Sequence, residues 1–177
     1  MKSASTHGAS HPPARRRVLL GGLSALALAG CGFQLRQAPD FAFSSIHVAA
    51  VPSSALGKEL KRSIALGGNV QVVEALQMER AQVVLDVLSE QREKVVVGLT
   101  ASGQVREFQL RTRLKFKLRT PQGKELIPET ELLQQRDISF SETVALAKEA
   151  EENLLYKDMQ TDLVQQLMRR LAAVRTI

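Results

Sequence analysis

The 177-residue chain contains a single cysteine, a single tyrosine, six phenylalanines and no tryptophan. One cysteine excludes an internal disulfide and a structural zinc site built on several thiolates. So few aromatic side chains argue against a protein that stacks nucleic-acid bases, and we predict no nucleic-acid partner. The length suits one domain, which excludes a large multidomain enzyme, and the 44% apolar content excludes a wholly disordered chain.

Catalytic signatures are also missing. No HExxH, CxxC, GxSxG or GxxxxGK[ST] pattern occurs. His47 is the only histidine after residue 30 and falls within a predicted strand, where a lone histidine is commonly exposed or hydrogen-bonded. Gly67-Gly68 ends a predicted helix instead of opening a phosphate-binding loop. The sequence therefore predicts a protein that is not an enzyme and that holds no metal and no dissociable cofactor.

The net charge of +6 is concentrated at the N-terminus. Residues 1–30 contain Lys2 and Arg15–Arg17 and no acid, whereas residues 31–177 contain 20 basic and 18 acidic residues. If the first segment is removed, the remaining charge of +2 is ordinary for a soluble domain. Net charge alone therefore gives little reason to expect binding to a polyanion.

Residues 1–30 are predicted to be an export signal. Arg15–Arg17 precede Val18–Ala29, an apolar run of twelve residues. That run is too short to span a bilayer, which takes about 20 residues, but it suits a signal peptide. A buried core helix is disfavoured by Gly21-Gly22 and by the basic flank. The arginines also faintly resemble a twin-arginine signal, so the export route stays open.

Leu28-Ala29-Gly30-Cys31 resembles the lipobox of bacterial lipoproteins. This resemblance implies cleavage before Cys31, an S-diacylglycerol on its sulfur and an N-acyl chain on the new amine, which together exceed what stable anchoring needs. The alternative is a lone buried cysteine, which does not explain the small residues at the end of the apolar run. Gly32 follows the cysteine, and by resemblance to enterobacterial sorting rules a residue other than Asp there predicts the outer membrane. Residues 31–44 are then a lipidated tether.

Residues 45–175 are predicted to form a single α+β domain. Ser45–Val51 alternates as a short strand does, Leu56, Leu60 and Ile64 share one helical face, and Val70–Val73 follows as a strand that pairs in parallel with the first. Val83–Leu88 and Val95–Leu99 form either one long bent strand or two shorter strands. A hairpin turn follows at residues 101–104, with Gly103 at positive φ.

The clearest period lies between residues 107 and 119. Even positions from Phe108 to Leu118 are apolar or Thr, and odd positions are polar or charged, which indicates an antiparallel strand with one solvated face. Glu125–Phe140 returns as another strand, in which Pro128 favours an edge or a bulge.

The period becomes 3.6 after Ser141, which predicts a helix over Val144–Ala173. Its predicted apolar stripe comprises Ala147, Ala150, Leu154, Leu163, Val164, Leu167, Met168 and Leu171. The predicted fold is two helices packed on a mixed, largely antiparallel sheet of about four to five strands, a two-layer sandwich.

A row of cations occupies the solvated face of the alternating strand. It consists of Arg111, Arg113, Lys115, Lys117 and Arg119, spaced about 6.5–7 Å apart. Such a row suits the phosphates of a lipid head group. Two alternatives remain open: a solvated face neutralised by acids of neighbouring strands, and a surface that contacts a protein partner.

Three segments resemble the LptE family. Cys31-Gly32-Phe33-Gln34-Leu35-Arg36 is similar to the C-G-[FW]-x-L-R start of mature LptE proteins, and Ala145–Glu149 is similar to their A-L-A-K-[DE] motif at the start of the last helix. Gly103 with Glu107-Phe108-Gln109 matches a recurrent hairpin pattern. The resemblance implies an outer-membrane lipoprotein that plugs the LptD β-barrel as its 1:1 partner. It would support barrel assembly and assist insertion of lipopolysaccharide into the outer leaflet.

The resemblance also implies lipopolysaccharide binding by basic residues near the hairpin tip and the start of the last helix. Lys148 matches the helix position. At the hairpin the position that is basic in related sequences is Ala101, so no lipopolysaccharide-binding residue can be assigned there. Arg106, just past the turn, is a candidate substitute that does not align with that position. Arg111, Arg113, Lys115 and Lys117 complete the candidates for lipopolysaccharide binding. The alternative function is a lipoprotein component of a different periplasmic ABC-type lipid-transport system.

Overall fold

The computed structural model describes residues 40–141, 143 and 145–177. The predicted signal peptide, Cys31 and most of the tether lie outside the described residues, as does Val144, the predicted first residue of the last helix.

The described residues form five strands, two α-helices and one 3₁₀ helix. In chain order these are β1 (Ser45–Ala49), α1 (Ala55–Leu66), β2 (Gln71–Val73), the 3₁₀ helix (Ala75–Arg80), β3 (Val83–Leu99), β4 (Val105–Arg119), β5 (Glu125–Ser139) and α2 (Ala145–Ala172). The sheet order is β2-β1-β3-β4-β5. β1 pairs in parallel with β2 and β3, and the pairs β3–β4 and β4–β5 are antiparallel. The α+β fold on a mixed sheet is therefore confirmed.

The helix α1 ends at its C-cap Gly67, where the sequence predicts its end. The Ser54 hydroxyl caps it by accepting a hydrogen bond from the Gly57 N–H at 2.8 Å. Leu56, Leu60 and Ile64 are fully buried, as their spacing requires. Gly68, one residue beyond the C-cap, has φ +74°, a conformation that costs glycine little and other residues more.

Val83–Leu99, predicted as either one long bent strand or two shorter strands, forms the single 17-residue strand β3. Its register against β4 shifts between Val87 and Ser89, so Leu88 sits in a bulge. Before the bulge Leu85 pairs with Leu118 on the helix-covered face, and after it the even-numbered residues, such as Lys94 opposite Leu110, occupy that face. Because the bulge changes which positions face the helices, no single alternation runs through the segment.

The strands β4 and β5 follow their sequence patterns closely. Every even residue of β4 from Leu110 to Leu118 is buried, and the odd residues are half-buried. β5 is an edge strand, and its register against β4 shifts around Pro128. Proline cannot donate to a neighbouring strand, so the edge and the irregularity both accommodate it.

The core lies between the sheet and the two α-helices. Its larger cluster joins Ile46, Val48, Leu60, Leu85, Phe116 and Leu167, among others. A smaller cluster of Leu110, Ile138, Tyr156 and Met159 continues it toward the β3–β4 hairpin. The apolar layer therefore thins toward the hairpin end of the sheet.

The predicted stripe of α2 is correct in its second half and wrong in its first. Ala147 and Ala150 are exposed, and Leu154 keeps 58% of its surface accessible. Burial begins at Tyr156 and continues through Met159 to Leu171. The packed second half sets the helical phase, and at 3.6 residues per turn this phase turns Leu154 outward.

Candidate functional site

A cleft of about 390 Å³ lies between the first turns of α2 and the hairpin end of the sheet. Its lining includes Lys94, Phe108, Ile138, Phe140, Lys148 and Glu152. These residues come from β3, β4, β5, the loop after β5, and α2. The cleft thus forms where the apolar core thins and the inner face of α2 becomes charged.

The floor of the cleft is apolar. Phe108 and Ile138 are partners in the β4–β5 register and therefore project from the same face of the sheet. The rings of Phe108 and Phe140 meet edge to face with centroids 5.3 Å apart. This arrangement provides a rigid apolar surface beneath a charged helical wall.

Lys148 lies in this cleft. Its Nζ donates hydrogen bonds to Glu151 Oε2 at 2.8 Å and to Ser139 Oγ at 3.1 Å. The side chain is only 21% exposed. The residue that matched the family motif is therefore held between α2 and the end of β5, with its ammonium group at the cleft wall.

Lys94 is a second cation in the cleft, and its sequence pattern does not predict this position. Its Nζ lies 2.6 Å from Glu152 Oε2 and 4.3 Å from the centroid of the Phe108 ring. In the sequence Lys94 belongs to a polar stretch without clear alternation. Only the bulge at Leu88, which determines the phase of this part of β3, reveals that Lys94 faces α2.

A polar network fastens α2 to β3 beside the cleft. The Tyr156 hydroxyl donates to the Glu93 carbonyl oxygen at 2.8 Å, and the Arg92 guanidinium lies 5.3 Å from the centre of the Tyr156 ring. Burial raises the pKa of the Tyr156 phenol above its ordinary value of 10.0, and the nearby Glu152 carboxylate acts in the same direction. Arg92 also donates to Gln160 at 2.8 Å. These contacts hold the helix that carries Glu151 and Glu152, the partners of the two lysines.

The cation row lies on the other face of the sheet. Arg113 contacts Glu131 at 3.0 Å and Glu93 at 3.5 Å. Lys115 lies 3.8 Å from Glu131, and Arg119 pairs with Asp86 at 2.8 Å. The acids come from β3 and β5, on either side of β4. This geometry agrees with the alternative of a face neutralised by its neighbours.

Two members of the row differ from the rest. Arg111 donates to Gln109 Oε1 at 2.8 Å, and within the described part of the chain neither Arg111 nor Lys117 has a carboxylate within 4.0 Å. Because odd residues of β4 project away from the helices, neither side chain converges with Lys148.

Arg106 lies at the hairpin end of β4. Its exposed side chain helps line a smaller hollow of about 260 Å³ that shares Phe140 with the main cleft. The structure therefore brings Arg106, Lys94 and Lys148 to one end of the molecule and places Arg111, Arg113, Lys115 and Lys117 elsewhere.

Neither a metal site nor a membrane span emerges from the described residues. They contain no group of three or more histidine, cysteine or acidic residues placed to hold a metal ion. No helix in this part of the chain is both long and apolar enough to cross a membrane.

The fold and this cleft can be compared with known proteins. The family model described as LptE, Lipopolysaccharide-assembly, matches residues 43–171, from just before β1 to the last turn of α2. The chain belongs to the LptE family. The match includes every element that forms the cleft.

Curated LptE relatives agree over most of the chain. The LPS-assembly lipoprotein LptE of Yersinia enterocolitica is 29% identical over 160 residues, covering 89% of this chain and 75% of the relative. That of Yersinia pestis is 29% identical over 165 residues, covering 90% and 78%.

Solved structures repeat the architecture. The solution structure of a lipoprotein B from Nitrosomonas europaea superposes with a TM-score of 0.70 and 35% sequence identity. The match covers 80% of this chain and 91% of the other chain. The crystal structure of the rare lipoprotein B from Shewanella oneidensis is 24% identical with a TM-score of 0.62, over 73% of this chain and 95% of that one, and shows the same fold. The two-layer LptE fold is therefore shared at low sequence identity.

Proposed function

We propose that this LptE family member is an outer-membrane lipoprotein that plugs an LptD-like β-barrel and binds lipopolysaccharide in the cleft beside Lys148. The observation that supports it most is the family match over residues 43–171, which contains the whole cleft. As an assembly partner of the barrel, the protein assists insertion of lipopolysaccharide into the outer leaflet.

The chemistry of the cleft suits the inner part of lipopolysaccharide. That part of the molecule carries phosphates next to sugars and acyl chains. The ammonium groups of Lys94 and Lys148 are suited to phosphate oxygens, and the rings of Phe108 and Phe140 offer apolar surface in the same cleft. Because both lysines remain partly exposed, binding should weaken as salt screens the charges.

The lipid anchor is proposed at Cys31. Triacylation there would hold the protein at the inner surface of the outer membrane. The folded domain already includes Phe43, whose side chain is buried in the core, so the free part of the tether ends before this residue. Cys31→Ala is expected to abolish incorporation of labelled fatty acid. Continued labelling of the variant would contradict this assignment.

The partner is tested by purifying the full-length protein from the membranes of its own cell. We expect an outer-membrane β-barrel in a 1:1 ratio. A monodisperse lipoprotein that purifies without a β-barrel would contradict the plug proposal. Recovery of an ABC-type permease instead would favour the alternative of a different periplasmic lipid-transport system.

The binding site is tested by equilibrium binding of the full-length protein to purified lipopolysaccharide at low salt. Lys148→Ala should weaken binding about two- to fivefold, the effect of losing one partly exposed charge contact. Lys117→Ala is the matched control, since Lys117 has no ion pair in the described part of the chain and lies on the other sheet face. An equal loss in the two variants would show that the effect is one of net charge and not of the cleft.

A further inference from the structure

Both lysines of the cleft are occupied by glutamates of the same helix. Lys148 pairs with Glu151, one turn away on α2, at 2.8 Å. Lys94 pairs with Glu152 across the cleft, from β3 to α2, at 2.6 Å. An anion that enters the cleft therefore meets cations that already have carboxylate partners, and it competes with those carboxylates for the ammonium groups.

The Lys94–Glu152 pair is the one suited to exchange. Its side chains are 37% and 22% exposed, and partly exposed ion pairs are weak. Lys94 also lies over the face of Phe108, at 4.3 Å from the ring centroid. This cation–π contact would keep the ammonium group at the cleft floor after Glu152 moves away.

We infer that Lys94 is a second anion-binding residue of the cleft and that Glu152 competes with the ligand for it. When the cleft is empty, Glu152 neutralises Lys94. When a phosphorylated glycolipid head group binds, its phosphate replaces the carboxylate beside Lys94, while Lys148 contacts the same head group from the helix side. The identity of the ligand rests on the proposed function, but the exchange of carboxylate for phosphate is a separate claim about these two side chains.

Two substitutions that break the same ion pair separate this claim from a structural role. Lys94→Ala removes the ligand-binding cation, so we expect binding to weaken about two- to fivefold. Glu152→Gln frees that cation, so we expect binding to tighten by a similar factor. If the pair only holds α2 against β3, both substitutions lose the same contact and shift binding in the same direction.

Glu149→Gln is the matched control for the charge change. Glu149 also lines the cleft, but it makes no ion pair within the described residues. Its substitution changes the local charge by the same amount without releasing a lysine, so it should tighten binding less than Glu152→Gln does. Lys94→Arg keeps a cation over Phe108 and should retain most of the affinity that Lys94→Ala loses. This result would show that the loss in Lys94→Ala comes from the missing charge and not from a folding defect.

The experiment measures binding of the full-length variants to purified lipopolysaccharide and to the same material after enzymatic dephosphorylation, both at low salt. Opposite shifts for Lys94→Ala and Glu152→Gln, present only with the phosphorylated ligand, are the expected result. Equal affinities for wild type and Lys94→Ala, or for Glu152→Gln and Glu149→Gln, would overturn the exchange. If the exchange is overturned but Lys148→Ala still weakens binding, the proposed function stands without the exchange. If the wild type does not bind lipopolysaccharide at all, the proposed function itself is contradicted.

Discussion

The Tyr156 hydroxyl offers the sharpest test of how the cleft is held together. This side chain is 8% exposed and donates to the Glu93 carbonyl oxygen at 2.8 Å, one residue before Lys94. Tyr156→Phe removes one oxygen atom and leaves an aromatic ring beside Arg92. A typical hydrogen bond contributes about 0.5–1.5 kcal/mol, so the free energy of unfolding should fall by about 1 kcal/mol. For a domain of this size that corresponds to a decrease in Tm of roughly 3–5 °C.

The same substitution should alter how stability depends on pH. Burial raises the pKa of the Tyr156 phenol above 10.0, so the folded state keeps this proton at a pH where the unfolded state releases it. The stability linked to this group is therefore fully present below pH 10 and is lost as the pH rises through the folded-state pKa. Lysine titrations in the same range are common to both proteins, so the difference between wild type and Tyr156→Phe isolates the phenol.

The assay is direct because the chain has one tyrosine and no tryptophan. Ultraviolet absorbance of the phenolate reports the titration of Tyr156 alone, first in the folded protein and then in denaturant. The midpoint should lie above 10 when folded and near 10 when unfolded. Identical midpoints in both states, or a Tyr156→Phe variant as stable as the wild type at every pH, would refute the reasoning.

Three further predictions concern the framework around the cleft. Phe116→Ala, at a fully buried core position, should lower the free energy of unfolding by about 3–5 kcal/mol in urea denaturation, and a loss below about 1 kcal/mol would mean that the core is loosely packed there. Gly103→Ala should lower the free energy of unfolding by roughly 1–2 kcal/mol, because Gly103 has φ +83°, a left-handed conformation that is unfavourable for alanine. An added Cβ meets nothing within 4 Å, so the loss would come from the backbone conformation and not from a clash, and unchanged stability would show that the turn rearranges. A double-mutant cycle on Arg113 and Glu131, with alanine at either or both positions, should give a coupling of about 0.2–1 kcal/mol that shrinks in high salt, and zero coupling at low salt would contradict the pairing across β4 and β5.

Much of the fold follows from local periodicity. The alternation from Phe108 to Leu118 specifies which face of β4 is buried, and the four-residue spacing of Leu56, Leu60 and Ile64 specifies the face of α1. Gly103 indicates the hairpin turn, and its positive φ is confirmed. Each of these features depends on residues close together in the chain, so the sequence is sufficient to predict it.

The candidate site was only half predictable. Lys148 came from a family motif, and the structure places it at the cleft wall. Lys94 could not be found in the same way, because its orientation depends on the bulge at Leu88 and its partner Glu152 lies 58 residues away in the sequence. The cation row was visible in the sequence, but the acids that flank it come from strands on either side and appear only once the register is known.

The helix α2 shows the same division within a single element. Its period and its limits follow from the sequence, since spacing within a helix is a local property. The sequence does not show which residues of its first half point inward, because the packing of Leu163, Leu167 and Leu171 against the sheet sets the rotation of the helix about its axis. The sequence by itself therefore determined most of the helices and strands, their buried faces where the pattern is unbroken, and the family. It did not predict the 3₁₀ helix Ala75–Arg80, and it left open whether Val83–Leu99 is one strand or two. Only the tertiary structure decided that a charged helix start lies over a thin apolar floor, which creates the cleft, because that depends on contacts between residues far apart in the chain.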